Sequence, residues 1–296
     1  MSLVVVGSIG LDTIETPYSS VTEALGGSAV YASFAARNFT EAYLVGVVGT
    51  DFPATHARTL QESGIHMEGF QIIPGKTFRW KGSYEDWNHA KSINTELNVF
   101  ADFSPVLPDC CKCCKSLLLG NIHPDLQLQV LDQIDCYEFL ACDTMNYWIS
   151  GCPDQLTEVI KRVDIVFMNE DEVKQFTRQN NVYKASETIL DMGPRLVVVK
   201  RGEYGSVAIA KDFYCFAPAY PIREVVDPTG AGDSFAGGFM GYLANQHTLS
   251  QNIVMEAVRY GTVLAAQNVG AFSINNLLEI DRNTIEKMVL DMKSWT

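Results

Sequence analysis

Six short apolar runs, LVVVG (3–7), YLVGVVG (43–49), SLLLGN (116–121), EFLACD (138–143), DIVFMN (164–169) and RLVVVK (195–200), recur with almost no polar interruption. A strand with one wet face alternates apolar and polar residues, whereas these runs are hydrophobic throughout, as strands covered on both faces are. Between them lie segments with helical spacing at 28–38, 51–64, 125–134, 153–162, 170–178 and 184–191. Thr50 or Asp51 is suited to cap the second of these and Gly64 to end it. Strand–helix alternation with connections of this length implies right-handed crossovers. The fold class is therefore α/β, a doubly wound and mostly parallel sheet with helices on both faces, whose ligands bind at the carboxyl ends of the strands.

Two stretches break the rhythm. Residues 11–25 and 70–104 read as polar-alternating strands and turns. They are expected to form one small β-sheet outside the main layer. Residues 230–245 and 251–268 read as two long helices, the first dense in Gly and Ala and so able to pack closely. No Pro/Gly/Ser-rich stretch divides the chain, so residues 1–296 are expected to form one unit.

Charge and cysteine usage narrow the function classes. The 22 basic and 35 acidic residues leave a net charge of −13, which repels a nucleic-acid backbone and obliges any anionic ligand to find local donors. The opening MSLVVVGSIGLD has no basic segment ahead of its short apolar run, and no run is long enough to span a membrane. The expectation is a cytoplasmic protein with no membrane and no nucleic-acid partner. Eight cysteines spread through a chain of this size then read as reduced thiols. Four of them crowd into DCCKCC (109–114). Zinc sites separate paired ligands more widely and add a second pair, so Cys110–Cys114 reads as an exposed loop of incidental cysteines rather than a metal grip.

The stretch EVVDPTGAGDSFAGGF (224–239) carries the most chemistry. Gly230 and Gly232 let consecutive N–H groups converge on one spot, and the helix that follows adds its positive end. Such a nest binds phosphate oxygens and steadies a phosphoryl group in transfer. Asp233 falls in the first helical turn. Local physics leaves it two roles, a helix cap or a base that takes the proton of an attacking hydroxyl. The alternative that VVVGSIGLD (4–12) binds a dinucleotide fails, because Gly7 and Gly10 lack the rest of the Gly-x-Gly-x-x-Gly pattern.

DPTGAGDSFAGGF closely resembles the C-terminal signature of the ribokinase-like (PfkB) carbohydrate and nucleoside kinases. GGSAVYASFAARNF (26–39) with LVGVVGTD (44–51), NEDE (169–172) and VVVKRGEYGS resemble three further family motifs in the family's order. The resemblance implies a doubly wound domain with a β-lid over the acceptor, the lid falling at 11–25 and 70–104. It implies that Asp233 is the base and that the amides of Gly230, Ala231 and Gly232 form the anion hole. Asp12, Gly26 and Gly27 would meet acceptor hydroxyls. Asn169 and Glu172 would organise Mg2+ and phosphates, although their spacing equally suits a capping box. Lys200, Gly202, Gly205, Thr229 and Asn268 would border ATP, although a lysine ending a strand is also an ordinary solvated tip.

Departures from the family pattern bear on the acceptor. Tyr31 stands where many members carry an acceptor-touching Asn, and Pro228 follows Asp227 where Thr is frequent, which argues against activation by a monovalent cation. GNIHP (120–124) lacks an acidic residue, leaving Asn121 or His123 as substitutes. The lid candidates Phe78, Trp80, Tyr84, Trp87, Phe100 and Phe103 suit either a stacking platform or a small apolar core. Arg79 and Lys81 are expected on the face opposite Trp80. The expected activity is ATP- and Mg2+-dependent phosphorylation of a primary hydroxyl on a small-molecule sugar. The alternatives are a nucleoside acceptor or a binding protein that has lost catalysis. Lid edges pair readily across a two-fold axis, so a homodimer through the lid is also expected.

Overall fold

The computed structural model describes residues 2–87 and 89–295. Among the described residues thirteen strands are present: β1 (Ser2–Val6), β2 (Gly10–Glu15), β3 (Ser20–Gly26), β4 (Glu41–Gly49), β5 (His66–Ile73), β6 (Phe78–Asp86), β7 (His89–Glu96), β8 (Ser116–Leu119), β9 (Phe139–Asp143), β10 (Ile165–Asn169), β11 (Leu196–Lys200), β12 (Ser206–Ile209) and β13 (Tyr214–Ala217). The helices are α1 (Ser28–Ala36), α2 (Ala54–Glu62), α3 (Asp109–Lys112), α4 (Pro124–Leu131), α5 (Asn146–Gly151), α6 (Pro153–Ile160), α7 (Glu170–Thr177), α8 (Val182–Leu190), α9 (Ala231–Leu243), α10 (Gln251–Val269), α11 (Asn275–Glu279) and α12 (Arg282–Lys293).

Nine strands form one sheet in the order β13-β12-β11-β10-β9-β8-β1-β4-β5, parallel except for β12 and β13. Because both faces are covered, successive residues of one strand enter different cores. Leu3 and Val5 of β1 pack with α1, α2, α9, α10 and α12, while Val4 and Val6 pack with α4, α6, α7 and α8. The order reverses at β1, which pairs with β4 on one side and β8 on the other. A crevice therefore opens beyond its carboxyl end. The glycines of α9 allow the expected close packing: a Cβ at Gly237 would lie 2.2 Å from the carbonyl oxygen of Ala32 in α1.

The remaining four strands form a second sheet, β3-β2-β6-β7, with β3 and β7 at its edges. This is the expected lid with narrower bounds. Residues 70–73 belong to β5, which pairs in parallel with β4 at the edge of the main sheet. Phe100 and Phe103 are buried in the main core beside Phe78, which is partly buried, rather than in the lid. Neither Thr50 nor Asp51 caps α2, whose N-cap is Pro53. Asp51 is engaged elsewhere, accepting from the Thr77 amide and hydroxyl and pairing with Arg79 at 2.9 Å, so that it ties the lid's root to the main sheet.

The cysteines also differ from expectation. Cys113 and Cys136 are joined by a disulfide, because a β-bridge brings their Cα atoms to 4.7 Å. In the 109–114 stretch, Cys110 is exposed but Cys111 and Cys114 are buried in the core, so the segment is packing material rather than an exposed loop. Among the described residues no helix is long and apolar enough to cross a membrane.

Candidate active site

The site is built where β1 hands over to the lid. β2 follows β1 after three residues, and its Asp12 is 4 % exposed, with its carboxylate against the place that a side chain at Gly26 would fill. A Cβ there would lie 1.9 Å from Asp12 Oδ2, so only glycine admits the carboxylate. Next to it, α1 begins after Gly27, and Ser8 and Ser28 lock that start by exchanging backbone-to-hydroxyl bonds of 3.1 and 3.0 Å. Tyr31, one turn into α1, is 1 % exposed, and its hydroxyl has no hydrogen-bond partner among the described residues.

The loop 227–232 crosses above Tyr31. Gly230 is the N-cap of α9 with φ of 76°, and a Cβ on it would lie 2.3 Å from the Tyr31 ring. Thr229, just before it, is held from several sides. Its N–H donates to Asp227 at 2.9 Å, its carbonyl accepts from the Asn268 amide at 2.7 Å, and its hydroxyl lies 3.0 Å from that of Tyr84 in β6. Ala231, Gly232 and Asp233 then open α9; the Ala231 N–H turns back to the Pro228 carbonyl at 3.1 Å, while the Gly232 N–H is among the first-turn donors that have no partner within the helix. Asp233 is half-buried, which leaves a reacting group a route to it.

Lys200, at the end of β11, faces this turn; its ammonium is the nearest group to a Cβ built on Gly232, at 3.1 Å. It donates to Asp143 at the end of β9 over 2.6 Å. Gln127 of α4 fixes Asp143 in turn, its buried amide donating to the carbonyls of Gly120 and Asp143, each at 3.0 Å. Asp143 and Gln127 are site residues that the sequence reading missed. The signal for Asp143 was its place at the carboxyl end of a predicted strand, whereas nothing in the sequence marked Gln127.

Several expected site residues hold structural posts. Asn169 and Glu172 form the capping box of α7, with bonds of 2.7 and 2.8 Å, yet Glu172 stays close enough to Lys200 and Asp143 to feel both. Asn268 is buried and supports the Thr229 carbonyl. Gly202 and Gly205 bracket the 3-10 turn after β11, on the side of the site away from the lid. Asn121 accepts from the Trp148 indole at 2.9 Å. His123 caps α4 through Nδ1 and packs edge-on against Trp148. Arg79 pairs with Glu23 and Lys81 with Glu15.

Crowded acid groups set the electrostatics. Burial, followed by Asp227 and Asp233, pushes Asp12 up to about 8. Burial and then Asp143 raise Asp233 to about 7 against the pull of Lys200. Burial likewise raises Glu172 to about 7. Burial disfavours the Lys200 ammonium, but Asp143 and Glu172 outweigh it and the net shift is upward. The three raised carboxyls hold protons in the folded chain that they release in the unfolded chain. Stability should therefore fall as pH rises from about 4 to about 8, where Asp12 loses its proton. Thermal melts across that range should show the decline, and Asp12→Asn should flatten it and melt higher than the parent at the alkaline end. An unchanged slope would place Asp12 outside this crowding.

A model of the pfkB family of carbohydrate kinases matches residues 2–281. The chain belongs to that family. Among its relatives, the cytidine kinase of Thermococcus kodakarensis is 32% identical over 270 residues, covering 89% of this kinase and 96% of the relative. Solved structures agree on the fold. The Burkholderia thailandensis nucleoside kinase in complex with inosine superposes with a TM-score of 0.81 at 16% identity, covering 99% of both chains. The Arabidopsis thaliana ribokinase with ribose and ATP gives 0.76 at 20% identity, covering 97% of this kinase and 98% of that chain. In this kinase the fold is thus ribokinase-like, with the small sheet standing over the crevice at the end of β1.

Proposed function

We propose that this kinase transfers the γ-phosphoryl group of ATP to a primary hydroxyl of a nucleoside. The observation that carries the transfer chemistry is Asp233 in the first turn of α9, beside the Gly230–Gly232 turn and next to Lys200. The acceptor hydroxyl gives its proton to Asp233 as its oxygen bonds to phosphorus, and the bridging oxygen leaves with ADP. The 230–232 amides and Lys200 face the charge on the phosphoryl oxygens. Magnesium, when bound with the nucleotide, neutralises phosphate charge. Among the described residues no three metal-binding side chains gather, and nucleotide-bound magnesium is held mainly by phosphates and water with one or two carboxylates. Glu172, with the Asn169 carbonyl beside it, suits that part.

A nucleoside fits better than the sugar expected from sequence. Trp80 is register-paired with Asp12 across the parallel strands β6 and β2, so both project from the same face of the lid. Its ring lies across Gly82, and its indole donates to Ser92 at 3.0 Å. Asp12 and Tyr31 would hold ribose hydroxyls while a base stacks on Trp80. Product formation with a panel of nucleosides, pentoses and hexoses tests this directly. Trp80→Ala should raise KM for the nucleoside about tenfold, the scale of one base–aromatic stack, and leave any turnover of free ribose unchanged. Equal losses for both would remove the base from Trp80.

A further inference from the structure

We infer that Tyr84, a lid residue, is a positioning residue for the anion-hole loop. Tyr84 follows Trp80 by four residues on the same face of β6, which carries it about 13 Å further along the lid. Its side chain is 8 % exposed, and its hydroxyl meets that of Thr229 at 3.0 Å. Thr229 thereby has all of its polar groups engaged, each by a different part of the molecule. Asp227 of the same loop takes its N–H, Asn268 of α10 holds its carbonyl, and the lid holds its hydroxyl. Gly230 follows directly, lying on the Tyr31 ring, and the donors of the anion hole begin there.

The consequence is a loop touched by two tyrosines at adjacent residues, Tyr31 of the body at Gly230 and Tyr84 of the lid at Thr229. A lid that moves away takes one of the three restraints with it, and the amides of 230–232 lose their fixed aim. Tyr84 thus makes alignment of the anion hole conditional on lid closure, when the acceptor is enclosed and water is excluded. Burial and the surrounding carboxylates push the Tyr84 phenol up, so it remains a neutral partner throughout the working pH range.

This inference rests on the proposed transfer reaction, and its test has one arm independent of that reaction. Tyr84→Phe keeps the ring and removes the hydroxyl. In the chain without acceptor, amide exchange at residues 229–234 should accelerate about tenfold, the scale of one hydrogen bond. With an acceptor that the parent chain turns over, kcat should fall about tenfold while KM for ATP stays within about twofold, and ADP should exceed phosphorylated product. Thr229→Val should reproduce these changes, Thr229→Ser should restore parental behaviour, and the Tyr84→Phe/Thr229→Val double variant should be no worse than either single one. Unaltered exchange in Tyr84→Phe, or additive losses in the double variant, would overturn the role. If the parent turns over no acceptor, the transfer reading fails by itself and the exchange measurement still decides the contact.

Discussion

Asp233→Asn is expected to reduce phosphoryl transfer about a thousandfold, the middle of the range for a lost general base, while the chain folds and binds nucleotide as before. The amide matches the carboxylate in shape and keeps its place in the first turn of α9. On the proposed mechanism, what disappears is the acceptor of the hydroxyl proton. The parent should also show a pH signature. A base raised to about 7 works only when deprotonated, so kcat/KM should climb with pH below that value and level off above it. Transfer by the Asn variant within a few fold of the parent would assign the proton to another group.

Gly230→Ala should be nearly as damaging, by a route that involves no charge. The residue sits at φ of 76°, a conformation that costs an L side chain about 1–2 kcal/mol. Its Cβ would enter the ring of Tyr31, which is fully buried and cannot yield, adding about 1–3 kcal/mol of overpacking. The loop must lift, and a displacement of about 1 Å in such a cradle lowers turnover by about 100-fold. Gly232→Ala is the control for stability, because its Cβ first meets the flexible end of Lys200, at 3.1 Å. Melting temperature should therefore fall far more for position 230 than for position 232. Equal effects would mean that the Tyr31 contact does not set the loop.

The main sheet was legible because burial on both faces leaves a simple trace, an uninterrupted apolar run such as LVVVG or DIVFMN. The α9 turn was legible because few sequences place two glycines and an acid in that spacing. The rest was hidden for identifiable reasons. Residues 70–73 look like lid because an edge strand has one exposed face, and so β5 shares the alternating pattern of a small sheet. Asp51 looks like a cap because a cap and a cross-link both require a short carboxylate, and only the fold brings Thr77 and Arg79 to it. Asn169 and Glu172 met the capping-box expectation, and the box holds a carboxylate that still feels the charge of Lys200. Long-range pairings such as Lys200 with Asp143, or Cys113 with Cys136, leave no local pattern at all.

Asp12 belongs to β2, a strand of the lid itself, and it is also the carboxylate that lies against Gly26 at the start of α1. On the proposed function, the wall that faces the acceptor is therefore part of the lid itself. In evolutionary terms, taste and reflex are inherited together in this molecule. A lineage that alters β2 to accept a new alcohol also alters the stiffness of its own gate, so new acceptors should arise in company with compensating changes at the lid's root, around Asp51, Thr77 and Arg79.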